Sequence, residues 1–414
     1  MEWIVVPIAG ISAALLGMVM LIAWVRRSRS HRNILERMSP RILVTGTRGK
    51  SSTIRLVHSL LAEADFRPWG RVTGTVAEEL TPEGQVIRID RKGQHSVVEL
   101  FDTARRADCS DARSLVCECM AVKPDLIELM QTVFLRADIA VITNVRADHL
   151  EDEGLVLSEI AHSICSVAEG AAVVISSETD PAVRAILRDG VGERGGKVLF
   201  ATGSEVDGEI LRILPNEHPD NVAIALAIAC YLGISNEIAL RGMSKATHEP
   251  FALDASAHRA TFRSRELIFS NLGSINDPES ARRALDSIKK EPLESPSATP
   301  ARVALIVSRW DRPFRSIQFS GFVDPAEFDA VLVAGELYRP MRRVLLGNGW
   351  KRNSIKPLRW IDARSSKSFM SRICDVVPRA GEVHVISLAN IDPPISRRLL
   401  HVMEPFAVNP GDAQ

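Results

Sequence analysis

Residues 3–25 contain no charged side chain, and from residue 41 the pattern changes to short apolar runs separated by amphipathic stretches. As a helix rising 1.5 Å per residue, the first run would be about 34 Å long, enough to cross a bilayer. Glu2 precedes it, Arg26, Arg27, Arg29, Arg32 and Arg37 follow it, and Trp3 and Trp24 mark its ends. A cleaved leader has its basic residues first and a shorter apolar core, so this order predicts an uncleaved transmembrane anchor with everything after residue 26 in the cytosol. The later alternation predicts parallel sheets covered by helices. Expected strands are 42–45, 114–117, 139–143, 172–175 and 198–200, with helices over 51–64, 125–133, 158–168 and 221–232. A second series has strands near 266–270, 303–307, 330–333 and 383–387, with helices over 278–290, 339–346 and 365–376. The series break near residues 246–260, where His248-Glu249-Pro250 ends a helical pattern. The expected layout is an anchor with a basic juxtamembrane segment (1–40), a central domain (41–250) and a smaller α/β carboxyl-terminal domain (251–414).

Lysine plus arginine and aspartate plus glutamate stand at 51 each, which removes any electrostatic argument for a nucleic-acid partner. The basic cluster behind the anchor is local and suits membrane lipid head groups. The six cysteines, at 109, 117, 119, 165, 230 and 374, lack metal-ligand spacing and mostly lie in apolar runs, so they read as reduced core thiols.

The chemistry starts at residues 46–52, Gly-Thr-Arg-Gly-Lys-Ser-Ser, between an expected strand and an expected helix. Gly46 and Gly49 let the backbone of Thr47 and Arg48 fold around phosphate oxygens. Lys50 supplies positive charge, Ser51 a hydroxyl for a metal ion, and the helix beginning near Ser51 and Ser52 aims free N–H groups at the same anion. Glu118 is a lone carboxylate closing an apolar strand, Val116-Cys117-Glu118-Cys119, and such a charge is expensive unless it meets a cation. The next strand runs into Asn144-Val145-Arg146-Ala147-Asp148-His149, which puts Asn144, Asp148 and His149 at the carboxyl edge, where open α/β sheets bind ligands. Ser51, Glu118 and His149 are therefore the expected metal ligands, and Lys50, Glu118 and His149 the expected catalytic set.

Residues 46–52, Glu118, residues 144–150 and 218–229 together resemble the Mur ligase and folylpolyglutamate synthase superfamily of ATP-dependent amide-forming enzymes. The resemblance implies a P-loop, Mur-ligase-like central domain. It implies ATP phosphates and Mg²⁺ or Mn²⁺ held by Lys50, Ser51, Glu118 and His149, and adenine contacted by Asn221. The spacing His218-Pro219-Asp220-Asn221 is shorter than the superfamily's, which leaves His218 without an assignment. A narrower likeness, carried by the anchor, His31-Arg32-Asn33-Ile34, the Gly-Thr-Arg-Gly-Lys-Ser loop, residues 118–122, Asn144-Val145-Arg146 and Asn276-Asp277-Pro278-Glu279-Ser280, is to the ligase subunits of capsule-type poly-γ-glutamate synthases. It implies glutamate and a growing polyglutamate chain as substrates, other membrane subunits of a synthesis and export complex as partners, and a cell-membrane location. The short distance from anchor to P-loop leaves no space for the domain with which wall-building relatives grip a nucleotide-sugar precursor. Asp277 sits before Pro278 as a helix N-cap would, and the family likeness adds nucleotide or substrate contact. Arg309, Asp311 and Arg312 bracket Trp310 at a strand end and resemble a family segment that reaches toward the phosphates.

The implied reaction converts a carboxylate to an acyl phosphate, which the incoming amine then displaces. Two other classes compete: a membrane-tethered P-loop ATPase energising transport or assembly, and a non-catalytic scaffold. A transport ATPase would show an apolar strand ending in Asp near the loop, and no suitable strand has it. A scaffold would have lost Lys50 or the metal ligands.

Overall fold

In the computed structural model of the chain, the described residues are 2–73, 77–89, 96–146, 156–215, 217–247, 258–272, 281–282, 284–286, 288, 300–310, 313–378 and 381–388. Side chains are described from residue 15 onward, apart from those of 258 and 271. The chain divides into two compact units, Met1–Glu249 and Pro250–Gln414.

The first unit opens with helix α1, Glu2–Glu36. Its described apolar side chains from Leu15 to Val25 are exposed all round, whereas Ile34, Leu35 and Met38 just beyond are buried core residues. Among the described residues no helix is long and apolar enough to cross a membrane. The transmembrane span expected over 3–25 is therefore not supported by the fold. The second half of α1 is docked. His31 Nε2 lies 2.8 Å from Phe134 O, the His31 and Trp24 rings pack edge-on against Phe101, and the Arg27 guanidinium lies over the same ring.

Strands β1 (Arg41–Thr45), β2 (Pro68–Val72), β3 (Glu78–Leu80), β4 (Val86–Arg88), β5 (Ser114–Glu118), β6 (Ile139–Ile142), β7 (Val173–Ser176) and β8 (Val198–Phe200) form one sheet. Its order is β4-β3-β2-β5-β1-β6-β7-β8. Strands β2, β5, β1, β6, β7 and β8 run parallel, and at one edge β3 pairs antiparallel with β2 and β4 antiparallel with β3. The helices are α2 (Lys50–Glu63), α3 (Glu99–Cys109), α4 (Pro124–Leu129, continued by a π-helical turn Met130–Leu135), α5 (Leu157–Ile164), α6 (Pro181–Gly192), α7 (Gly208–Ile213), α8 (Pro219–Tyr231) and α9 (Asn236–Met243). The period-two alternation of the strands sorts them into two cores. Leu43, Cys117, Ala140 and Ile142 face α3, α4, α5, α6 and the end of α1, while Ile42, Val44, Val116 and Val141 face α2, α8 and α9.

Strand β2, the hairpin β3–β4 and helix α3 have no counterpart among the expected elements, and the cause is chemical. Glu78 and Glu79 read as surface in sequence, yet both are buried, Glu78 against Arg55 at 2.5 Å and Glu79 against Arg71 at 3.1 Å and Arg106 at 2.7 Å. Pairing with arginine admits carboxylates to a strand that hydrophobic patterning cannot recognise.

The second unit holds β9 (His258–Phe262), β10 (Arg265–Leu272), β11 (Ala301–Ser308), β12 (Ala330–Gly335), β13 (Ile355–Leu358) and β14 (Glu382–Leu388), ordered β13-β12-β11-β14-β10-β9. All are parallel except β9, which pairs antiparallel with β10. Helices α10 (Pro313–Phe322) and α11 (Tyr338–Gly347) cover one face and α12 (Ser366–Val376) the other. Of the helix expected over 278–290, the described residues are helical and the rest lie outside the description.

Candidate functional site

Strand β1 lies between β5 and β6, so the chain after β1 leaves the sheet at the point where its connections part to opposite sides. Ligands bind at such a crevice in open parallel sheets. Three segments meet there: the loop from Gly46 to Ser51, the end of β5 at Glu118, and residues 143–146 after β6.

Two glycines shape the loop. Gly46 has φ +112°, and a Cβ there would stand 2.3 Å from Thr143 Oγ1. Gly49 has φ +80°, and a Cβ there would stand 2.4 Å from Asn221 Oδ1. Both conformation and space exclude other residues. Asn144 fastens the loop between them, accepting from Arg48 N at 3.0 Å through Oδ1, donating to Arg48 O at 3.2 Å through Nδ2, and accepting from Thr47 N at 2.9 Å through its carbonyl. Arg146 N donates to Thr47 Oγ1 at 2.9 Å, and that hydroxyl lies 3.2 Å from Arg146 O. Gly49 starts α2 without a side-chain cap, and the first turn holds no acid. The opening N–H groups of α2 and its dipole thus present a positive end at the loop.

The Lys50 ammonium donates to Gly46 O at 2.6 Å, which draws it back over the loop. Ser51 Oγ donates to Glu118 Oε2 at 3.2 Å, and Thr73 N donates to the same oxygen at 2.7 Å. Glu118, only 4 % exposed, is therefore held by a hydroxyl and a backbone N–H, and neither neutralises its charge. Ser52 is half-buried in the first turn of α2. Asn221 is buried in the first turn of α8, where Oδ1 accepts from Thr53 Oγ1 at 3.3 Å and lies against Gly49. His218 caps α8, accepting from Asp220 N at 3.3 Å ahead of Pro219.

The structure thus brings together Gly46, Thr47, Arg48, Gly49, Lys50, Ser51, Ser52, Glu118, Asn144 and Asn221. His149, Asp148, Asp277, Asp311 and Arg312 lie outside the described residues. Arg309 belongs to the second unit, where it follows β11 and its N–H donates to Ser316 Oγ at 3.4 Å. Cys117 and Cys119 are neutral packing thiols, pushed by burial up to about 12 and about 11. Cys165 and Cys374 are buried as well, but Cys109 and Cys230 are exposed, which corrects the reading of all six as core thiols: both sit at the last turn of a helix.

One residue of the cluster escaped the sequence reading. Glu178, fully buried after β7, accepts from Val145 N at 2.7 Å, Arg146 Nη1 at 2.9 Å, Thr179 N at 2.8 Å and Asp180 N at 3.0 Å. It clamps the segment that in turn holds the glycine loop. Its signal was that of Glu118, an acid closing an apolar strand.

The Mur ligase middle domain family matches residues 44–202, and the poly-gamma-glutamate synthase CapB C-terminal domain family matches residues 257–404. The chain is 31 % identical over 329 residues to the capsule biosynthesis protein CapB of Bacillus anthracis, covering 78 % of this chain and 68 % of that one. It is equally similar to the PGA synthase CapB of Bacillus subtilis (strain 168), covering 81 % of that protein. The chain belongs to the CapB family of poly-γ-glutamate synthases. Its fold is that of a wider group. Mycobacterium tuberculosis folylpolyglutamate synthase, solved with ADP and AMPPCP, superposes with a TM-score of 0.60 at 14 % identity, over 96 % of this chain and 99 % of its own. MurF from Acinetobacter baumannii superposes with a TM-score of 0.58 at 13 % identity, over 90 % and 78 %. At these identities the likeness to the solved structures speaks for the α/β Mur ligase fold alone.

Proposed function

We propose that this CapB-family chain is an ATP-dependent amide ligase that extends poly-γ-glutamate through an acyl phosphate, releasing ADP and phosphate. The observation that carries the reading is the meeting of Ser51, Thr73 and Glu118 beside a glycine loop that opens a helix. In this reading the loop N–H groups from Gly46 to Ser52 hold the triphosphate, and Lys50 swings from Gly46 O onto the transferring phosphoryl oxygens. Asn144 keeps the loop in shape, and Asn221 shapes it from the other side through Gly49. Adenine contact by Asn221 remains part of the proposal by family likeness, as do the nucleotide roles of Asp277 and Arg309.

The donor set fits a small hard cation. Glu118 is buried with one carboxylate oxygen carrying a hydroxyl and an amide donor, and Mg²⁺ is commonly bound by one or two protein oxygens with substrate phosphates and water completing its shell. Ser51 and Glu118 would hold Mg²⁺ or Mn²⁺, with His149 as the further ligand, and the ion would neutralise charge on the phosphoryl group. No side-chain nucleophile is required, since the glutamate amine displaces phosphate.

The proposal places the protein at the cell membrane. Residues 3–25 are uncharged, the described residues from Leu15 to Val25 are exposed and apolar on every side, and arginines follow. It keeps the three-part layout of anchor, central domain and carboxyl-terminal domain, with further membrane subunits of a synthesis and export complex as partners. The test is to incubate the purified protein with ATP, Mg²⁺ and single amino acids. Phosphate release that requires glutamate and yields an amide supports ligation; release indifferent to amino acid points to an ATPase and sinks the proposal.

A further inference from the structure

Although the chain is neutral overall, residues 338–372 hold ten lysines and arginines and a single acid, Asp362, an excess of nine positive charges. The stretch spans α11, the edge strand β13 and the start of α12. Because α11 and α12 cover opposite faces of the sheet, the charge wraps around the β13 edge of the second unit. Asp362 is already engaged by Arg359 at 3.4 Å. Arg339, Arg343, Lys351, Arg352 and Lys367 are exposed and Lys356 is half-buried, and none of the six pairs with an acidic side chain among the described residues. In the loop between β13 and α12, Trp360 and Ile361 are 56 % and 54 % exposed.

Protection of the sheet edge is too small a reason for this. A lysine and a proline on an edge strand discourage pairing with another sheet, and Lys356-Pro357 in β13 supply both. The other cations lie on the helices and loops around the edge, and their mutual repulsion costs stability unless an anion is present. The surface therefore suits a flexible polyanion: dispersed cations for a series of carboxylates, and a tryptophan face for the methylenes between them.

We infer that the β13 edge of the second unit binds the poly-γ-glutamate chain itself, retaining the polymer between successive additions. The inference rests on the ligase reading, because that reaction makes a polycarboxylate. It adds a surface distinct from the glycine loop and its metal ligands.

The experiment uses full-length protein in detergent, a long fluorescent poly-γ-glutamate, and a variant combining Arg343→Gln, Lys351→Gln, Arg352→Gln and Lys367→Gln. The wild type binds the polymer with an affinity that falls as salt rises, and free glutamate does not compete. The variant binds about tenfold more weakly, melts no lower than the wild type, and makes shorter product while releasing phosphate at the normal initial rate with glutamate and a short acceptor. Polymer affinity and product length unchanged in the variant overturn the inference. So does retention of anionic phosphatidylglycerol vesicles in place of polymer, an outcome that makes the edge a membrane-binding face. Failure of the wild type to release phosphate with glutamate sinks the ligase reading separately, leaving polymer binding to judge the surface.

Discussion

Glu118 is the residue on which the site turns, because its carboxylate is buried where a hydroxyl and one amide are its described donors. Replacement by Gln keeps the shape and removes the charge. Glu118→Gln and Lys50→Ala are each expected to lower glutamate-dependent phosphate release at least about a hundredfold with little change in melting temperature, as for loss of charge stabilisation in a preorganised site. Phosphate assays and thermal melts on the same preparations check this. Gly49→Ala should behave differently: at φ +80° with Asn221 Oδ1 2.4 Å from the new methyl, it loses nucleotide binding and costs about 1–3 kcal/mol of stability. Glu178→Ala should cost about 3–5 kcal/mol in denaturant titrations, since it leaves Arg146 and three backbone N–H groups without their acceptor. Two histidines set a pH dependence. Burial lowers His58 and His384 to about 4, below their ordinary 6.5. The unfolded chain then binds more protons between those values, so stability is complete above about pH 6.5 and is lost as pH falls toward 4, by about 2–3 kcal/mol per histidine. Melting temperature measured across that window should fall with pH, less steeply in a His58→Gln variant. At this scale the glycine loop, Glu118 and Asn144 were legible because glycines, a lone acid and an amide at a strand end stand out against apolar runs, whereas Asn221 was reached only through the family likeness. Glu178 was equally visible but had no motif around it to draw attention.

At the scale of elements, legibility followed burial. Strands with apolar residues on both faces, such as β1, β5, β6 and β7, lie within a residue or so of the expected positions, and so do α2 and α8. The hairpin β3–β4 and helix α3 were hidden because the pieces that hold them are ionic. Arg71 reaches Glu79, Glu99 and Thr103, linking β2, β3 and α3 through one buried guanidinium. Edge strand β13, four residues with a proline, is too short to be read from periodicity. Helix α1 runs on past the apolar stretch to Glu36 and buries Ile34 and Leu35, where the charge pattern predicted only a basic juxtamembrane segment. Removing residues 1–25 should release the protein from membranes with unit 1 still folded, whereas removal through residue 38 takes Ile34, Leu35 and Met38 out of the core and should destabilise it by several kcal/mol, as Leu35→Ala alone should by about 2–5 kcal/mol. Membrane sedimentation and thermal melts separate the two truncations.

Across the whole molecule, each unit carries its own pair of hydrophobic clusters. Calorimetry should accordingly record more heat than a single two-state transition accounts for, with the transition of unit 1 shifted upward by ATP analogues and Mg²⁺. Net charge says nothing at this scale, because a neutral total conceals an excess of nine cations in one stretch of the second unit. The unbroken backbone of α1 has a further consequence. It passes from bare apolar turns into turns wedged against Phe101 and Phe134 without a joint, so no swivel separates the two halves. If the first half sits in lipid, the bearing of the nucleotide cleft is inherited from the tilt of a single rod, and a glycine pair placed near Arg29 would let the enzyme wander.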